Sequence, residues 1–286
     1  MTLIDGKATA AEIRAELKTR SSAFEEKYGR KIGLAVVLIG EDPASKVYVR
    51  NKIKGCEEAG IRSFAHYLPE NTSQTQAEEL VATLAEDENV HGILVQLPLP
   101  KHLDAERILA KIPAAKDVDG FCAENIGKLA LRESGTVACT PLGVMELLKR
   151  YHIPTAGKNA VVVGRSNIVG RPMALLLLNA DATVTICHSR TRDLKAECLR
   201  ADILVAAIGK PKFITEDMVK DGAVVIDVGM DRDENGKLCG DVDFEKVSGK
   251  ASYITPVPGG VGPMTIAMLL SNTCEAAERS MEKKNQ

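Results

Sequence analysis

The hydrophobic positions of the chain follow two periods that alternate along its length. Ile13, Leu17, Phe24 and Tyr28 fall at helical spacing and predict an opening amphipathic helix. Ile32 to Ile39 is a continuous apolar run stopped by Gly40, the pattern of a buried strand. Ala44 to Ala59 is helical in composition and ends at Gly60, a residue suited to the position just past a helix. A short strand is expected near Ser63–Leu68. Ser73-Gln74-Thr75-Gln76 has the form of a capping box ahead of another helix, and Gly92–Leu97 is a second buried strand. Strands separated by helices imply crossover units and a parallel sheet.

A turn is expected at Asp117–Gly120, followed by a less regular stretch. Thr140-Pro141 then reads as the cap and first residue of a new helix. Beyond it, Ala160–Val163, Ala182–Cys187, Ile203–Ile208 and Ala223–Val228 are short Val/Ile/Ala-rich strands, with helices between the first three. They predict a second α/β domain over 140–262. The last helix, from Pro263 to about Lys283, carries Ile266, Leu270, Cys274, Ala277 and Met281 on one stripe.

Length and composition agree with this division. A chain of 286 residues suggests two domains or one large one. With 45% hydrophobic and 27% charged residues there is ample material for a core, which excludes disorder as the main state. A net charge of −2 argues against a nucleic-acid binder. The absence of Trp and only 3% aromatics argue against base-stacking platforms and require an aliphatic core. No stretch approaches the roughly 18–20 apolar residues of a membrane span, and Met1–Lys7 lacks the basic-then-apolar pattern of a secretory leader. The seven cysteines include no pair at CxxC spacing and the five histidines are dispersed, so no metal site is expected. Scattered free thiols place the protein in a reducing cytoplasm.

The candidate chemistry begins at Gly164-Arg165-Ser166-Asn167-Ile168-Val169-Gly170, which follows a strand and opens a helix. A glycine there permits a tight turn, and the helix start offers N–H groups to a phosphate. Ser166 and Val169 occupy the second and third glycine positions of GxGxxG, so the placement supports the reading more than the letters do. The following strand runs into His188-Ser189-Arg190-Thr191, with no carboxylate for a ribose hydroxyl. Ser189, Arg190 and Arg165 suit a 2′-phosphate, which favours NADP over NAD. Solvated surface arginines are the plainer alternative.

Four polar residues of the first half sit where polarity needs a reason. Gln96 is an amide at the end of an apolar strand, and burying it unpaired is costly. Tyr48 and Lys52 lie one helical turn apart on one face, as many surface pairs do. Asp119, before Gly120, reads either as a site carboxylate or as a turn residue. Pro256-Val257-Pro258-Gly259-Gly260-Val261-Gly262-Pro263-Met264-Thr265 is a constrained Pro/Gly loop suited to close approach of a flat ligand.

Together these segments resemble the bifunctional methylenetetrahydrofolate dehydrogenase/methenyltetrahydrofolate cyclohydrolase (FolD) family, nearly end to end and in family order, with VQLPLP and PGGVGPMT the most specific. The resemblance implies a two-domain α/β fold with a ligand cleft between the domains. Residues 1–139 with 263–286 would form the folate-binding catalytic domain, and 140–262 a Rossmann-type doubly wound NADP domain. It implies oxidation of 5,10-methylenetetrahydrofolate with NADP, then hydrolysis of the methenyl product to 10-formyltetrahydrofolate, feeding purine, formylmethionine and related synthesis.

Carried over by position, Lys52, Tyr48, Gln96 and Asp119 are the catalytic set. Gly164, Arg165, Ser166, Ile168, Gly170, Ser189 and Met230 would hold NADP, and Met230 stands where relatives usually have another aliphatic residue. The folate would meet Tyr48, Lys52, Val95, Gln96, Leu97, Asp119, Pro258, Gly259, Gly260, Val261, Gly262, Pro263 and Thr265. Tyr48 is expected to border the folate, Asp119 to bind the pterin's amino edge, and Lys52 to move protons, driven toward its neutral form by a cationic substrate. Gln96 would hold Lys52. A homodimer through the Rossmann domains is implied, with no nucleic-acid or membrane partner. A monofunctional relative, a non-catalytic NADP sensor and a shikimate-type dehydrogenase are the alternatives.

Overall fold

A computed structural model describes residues 1–284, and the chain divides into two compact units. The first elements are β1 (Thr2–Leu3) and α1 (Gly6–Tyr28), and the division falls within α1 after Ala10.

The three-stranded unit comprises 11–128, 133–137 and 266–286, of which 285–286 lie outside the described residues. Its sheet contains β2 (Gly33–Ile39), β3 (Arg62–Leu68) and β4 (Gly92–Val95), ordered β3-β2-β4 and parallel throughout. All seven residues of β2 are buried, as expected of a central strand covered on both faces. Helix α2 (Pro43–Glu58) starts where the Asp42 carboxylate accepts from Ser45 N at 2.7 Å, with Pro43 in the first turn. Helix α3 (Gln74–Glu86) has the predicted capping box between Ser73 and Gln76. Val37, Ile39, Val81, Ile93, Val95 and Ile108 belong to one aliphatic core.

Beyond β4 lie α4 (Ala105–Leu109), for which no element was expected, and α5 (Ala123–Leu131), within the stretch read as irregular. Between them the chain returns alongside β4: Ile93 N donates to Lys116 O at 2.9 Å and Ile93 bridges Asp117 in parallel. Gly92 permits this approach, since a Cβ there would lie 2.5 Å from Val118 Cγ1. Strand β4 ends at Val95 rather than at the expected Leu97. Gln96 N makes one further bond to Val37 O, and Pro98 has no N–H to continue the ladder.

The six-stranded unit comprises 1–10, 129–132 and 138–265. After α6 (Cys139–Arg150) come β5 (Asn159–Val163), α7 (Gly170–Asn179), β6 (Thr183–Cys187), α8 (Leu194–Leu199), β7 (Ile203–Ala206) and β8 (Val224–Asp227). A small hairpin, β9 (Asp231–Arg232) and β10 (Leu238–Cys239), precedes α9 (Phe244–Val247) and β11 (Tyr253–Ile254). The sheet order is β1-β11-β8-β7-β5-β6, all parallel. The chain steps outward from β5 to β6 and then crosses back to β7, so the order reverses at β5.

Three expectations need correction here. Residues 1–10 belong to the six-stranded unit, because Thr2 and Leu3 pair with Tyr253 and Ile254 at the sheet edge. Ala138, not Thr140, precedes the first turn of α6; the Thr140 hydroxyl instead lies 2.9 Å from that of Thr265. The last helix, α10 (Val261–Lys284), starts before Pro263, whose missing N–H costs nothing in a first turn. The division falls within α10 after Thr265, and its later residues lie in the three-stranded unit. There Arg20 of α1 forms a bidentate ion pair with Glu278, with its Nε 2.6 Å from Oε1.

Candidate active site

The sequence candidates of the three-stranded unit converge because parallel strands emit their following residues at one edge. Helix α2 follows β2, Gln96 follows β4, and Asp119 follows the segment bridged to β4. Lys52, on the second half of α2, donates from Nζ to Gln96 Oε1 at 2.9 Å. Gln96 in turn donates from Nε2 to Leu97 O at 2.6 Å, which leaves its carbonyl oxygen facing the lysine. The amide's polarity is thereby satisfied at the strand's end.

Asp119 is the third member. Burial raises its carboxyl to about 6, the Lys52 ammonium opposes that rise, and the neighbouring Asp117 carboxylate adds to it. Among the described residues no group donates a hydrogen bond to the Asp119 carboxylate. The turn residue is Asp117: its Oδ1 accepts from Gly120 N at 3.0 Å and its Oδ2 from Cys122 N at 2.9 Å. The sequence placed a turn at Asp117–Gly120 without singling out Asp117, although an aspartate three residues before a glycine was the available signal. Tyr48 lies one turn before Lys52 on α2 and is 41% exposed. Val95 is buried in β4 and Leu97 is partly exposed beyond it.

In the six-stranded unit, Gly164 directly follows β5 at the point where the strand order reverses, the usual place for a ligand in an open α/β sheet. Its φ is +127°, and a Cβ would lie 2.1 Å from Ala207 O, so only glycine fits. Ser166 Oγ accepts from Val169 N at 3.2 Å and Gly170 N at 3.3 Å, holding the loop against the start of α7. Arg165, Ser166 and Ile168 are exposed on this loop.

After β6, His188 N donates to Thr191 Oγ1 at 2.9 Å and Arg190 N to His188 Nδ1 at 3.1 Å. That turn leaves Ser189 and Arg190 exposed, with no carboxylate between His188 and Arg192. A narrow loop, a helix start and a cationic, carboxylate-free turn suit a dinucleotide carrying a 2′-phosphate.

The remaining candidates fall in this same unit. Pro258, Gly259 and Gly260 form a turn, and Val261, Gly262, Pro263 and Thr265 are the first residues of α10 rather than loop. Gly259 has φ +105°, and a Cβ on Gly260 would meet Pro256 O at 2.5 Å. Met230 is 44% exposed and reaches Gly262, where a Cβ would lie 2.8 Å from its Cε. The structure therefore places the Tyr48–Lys52–Gln96–Asp119 set in one unit and the 258–265 segment with the nucleotide loop in the other.

A doubly wound nucleotide unit in one chain with a lysine–amide–carboxylate site defines a nucleotide-dependent enzyme of two α/β domains. Residues 4–119 match the tetrahydrofolate dehydrogenase/cyclohydrolase catalytic domain, and residues 138–281 match the NAD(P)-binding domain of the same family. The bifunctional protein FolD of Campylobacter concisus is 59% identical over 283 residues, covering 99% of this chain and all of that one. The crystal structure of the FolD methylenetetrahydrofolate dehydrogenase/cyclohydrolase of Campylobacter jejuni superposes with a TM-score of 0.95 at 54% identity, covering 98% and 99% of the two chains. The FolD of Trypanosoma brucei, solved with NADP cofactor and an inhibitor, gives 0.93 at 43% identity with 98% of each chain covered. The chain belongs to the tetrahydrofolate dehydrogenase/cyclohydrolase family, and it is a bifunctional enzyme of one-carbon folate metabolism, oxidoreductase and hydrolase in one.

Proposed function

We propose that this chain oxidises 5,10-methylenetetrahydrofolate with NADP+ and hydrolyses the resulting 5,10-methenyl cation to 10-formyltetrahydrofolate, with Lys52, Gln96, Asp119 and Tyr48 as the working side chains. The observation that carries this reading is the 2.9 Å hydrogen bond from Lys52 to Gln96 beside an Asp119 carboxylate with open acceptor sites.

NADP+, when bound, supplies the acceptor for the hydride that leaves the methylene carbon. Gly164, Ser166 and Gly170 hold its pyrophosphate at the start of α7. Arg165, Ser189 and Arg190 contact its 2′-phosphate, and Ile168 and Met230 border it. The absent carboxylate after β6 favours NADP over NAD. The oxidised carbon becomes a cation spread over two nitrogens, so the chain has no base to supply at this step and its work is positioning. Asp119 accepts from the amino edge of the pterin, Tyr48 borders the ring system, and Val95 and Leu97 shape the folate's surroundings.

In the second step a water oxygen bonds to the cationic carbon and gives up a proton. The bond from that carbon to N5 breaks as N5 takes a proton, the hydroxyl on the carbon loses its remaining proton to solvent as the carbonyl forms, and the formyl group stays on N10. Lys52 is the group placed to take the first proton and return one to N5, with Gln96 fixing the amine's direction.

The reading of setting rests on the cysteines, and that of assembly on an exposed sheet edge. Seven free cysteines, six of them buried, suit a reducing cytoplasm. Among the described residues no helix is long and apolar enough to cross a membrane. Strand β6 is a sheet edge, and Ile186, Leu178 and Leu199 expose apolar surface around it, which supports a homodimer formed through the six-stranded units. Sedimentation would report twice the 30.7 kDa chain mass; a monomer at micromolar concentration would reject the dimer.

A paired assay tests the function: NADP+ reduction with 5,10-methylenetetrahydrofolate, repeated with NAD+, and decay of methenyltetrahydrofolate without nucleotide. Turnover in both, with NADP+ preferred, is expected. NADP+ binding without turnover in either would overturn the reading.

A further inference from the structure

Asp119 is presented by a turn whose two flanking residues are both held, one from within the turn and one from a distant element of the three-stranded unit. On one side, Gly120 N is bound by Asp117, whose carboxylate also takes Cys122 N and, at 3.1 Å, the Nδ2 of Asn125. On the other side, Val118 O accepts from Nδ2 of Asn272 at 2.9 Å. Asn272 lies on α10, is only 2% exposed, and uses the same amide to bind Val137 O at 2.9 Å. Its neighbours on the helix, Met268, Leu269, Thr273 and Ala276, are buried as well. A primary amide in such surroundings is costly unless both N–H groups are used, and here both are.

These contacts act on the backbone of residues 118–120, while the Asp119 carboxylate accepts no hydrogen bond from the described residues. Its direction is therefore set by the main chain and the nearby charge of Lys52 rather than by a hydrogen-bond partner. We infer that Asn272 is a positioning residue for folate binding: by anchoring the Val118 carbonyl to α10 it fixes the backbone from which Asp119 meets the pterin. The inference rests on the reading of Asp119 as a pterin contact. Asn272 does not touch the substrate, and it sits more than 150 residues away in sequence.

The test is a double-mutant cycle between Asn272 and Asp119, read as dissociation constants for tetrahydrofolate and for NADP+. Asn272→Leu keeps the volume and removes both donors; Asn272→Ser keeps one donor, and serves if the leucine variant does not fold. Each is expected to weaken tetrahydrofolate binding by about tenfold, with serine the milder, and to leave NADP+ binding unchanged. Asp119→Asn is expected to weaken tetrahydrofolate binding by itself. In the Asp119→Asn background the Asn272 substitution should then add less than about twofold. A full additional loss in that background, or parallel loss of NADP+ affinity, would mean that Asn272 only supports the fold, and would overturn the inference. If Asp119→Asn leaves tetrahydrofolate binding unchanged, the underlying assignment of Asp119 fails instead.

Discussion

The Lys52 amine donates to the Gln96 carbonyl oxygen at 2.9 Å, and the Gln96 amide nitrogen is itself tied to Leu97 O at 2.6 Å. The second bond settles the first: with its N–H side committed to the backbone, the glutamine has only an acceptor to offer the lysine. A flexible amine thus acquires a fixed direction from a residue at the end of a strand.

Lys52→Met should therefore separate the two activities. Loss of a positioned proton carrier removes about 10²–10⁴-fold of the hydrolytic rate, while hydride transfer, which needs no base here, keeps a measurable rate. Stopped-flow decay of methenyltetrahydrofolate and NADPH formation, measured on one preparation, check this. Equal loss of both at an unchanged melting temperature would remove Lys52 from its assigned role.

Gln96→Ala leaves the amine in place and removes its guide. Hydrolysis is expected to fall about tenfold or more, less than for Lys52→Met, with NADP+ affinity unaltered. A hydrolytic rate equal to wild type would show that the lysine finds its direction without the amide.

Asp119 gives a pH signature. Burial lifts its carboxyl to about 6 from the ordinary 3.8, and in the role proposed for it only the ionised form would be a full acceptor for the pterin's amino edge. Folate affinity should rise as pH increases through about 6 and then level off, and Asp119→Asn should flatten that rise. The stability of the free protein moves the other way. Between about 4 and about 6 the native carboxyl keeps a proton that the unfolded chain has released, so stability falls as pH rises across that window. Denaturant titrations of wild type and Asp119→Asn at the two ends of the window measure the difference.

Arg165→Gln tests cofactor choice. Charge-assisted bonds to a phosphate are worth about 1.5–3 kcal/mol, so NADP+ should bind about 10- to 150-fold more weakly while NAD+ binding hardly changes. Equal weakening of both would place Arg165 on the pyrophosphate rather than the 2′-phosphate.

Gly164→Ala tests the loop itself. Its φ of +127° and the 2.1 Å approach to Ala207 O leave no room for a methyl group. A loss of about 1–3 kcal/mol in stability is expected together with loss of NADP+ binding, read by thermal melting with and without the nucleotide. Unchanged melting would show that the loop relaxes freely.

Much of the fold was legible because apolar runs and caps are local. The continuous run of β2, the Ser73–Gln76 box and the four Val/Ile-rich strands of the nucleotide unit all formed close to where their patterns lay. Elements whose stability comes from distant partners were not. Thr2–Leu3 is a strand only because Tyr253–Ile254 offers it an open edge. The helix over Ala123–Leu131 was missed within a stretch that reads as irregular. Thr140 looked like a helix cap, yet its hydroxyl is engaged by Thr265.

The same division runs through the site. By itself the sequence determined that a glycine turn follows β5, that no carboxylate follows β6, and that Tyr48 and Lys52 share a helix face, because each depends on residues a few positions apart. It also held the family resemblance that named Gln96 and Asp119. Only the tertiary structure decided that Lys52 meets Gln96 across 44 residues, that Asp117 rather than Asp119 holds the turn, and that Asn272 braces it from the last helix. The physical reason is the directionality of hydrogen bonds: residue type states what a group can donate or accept, and only the packed chain states to whom.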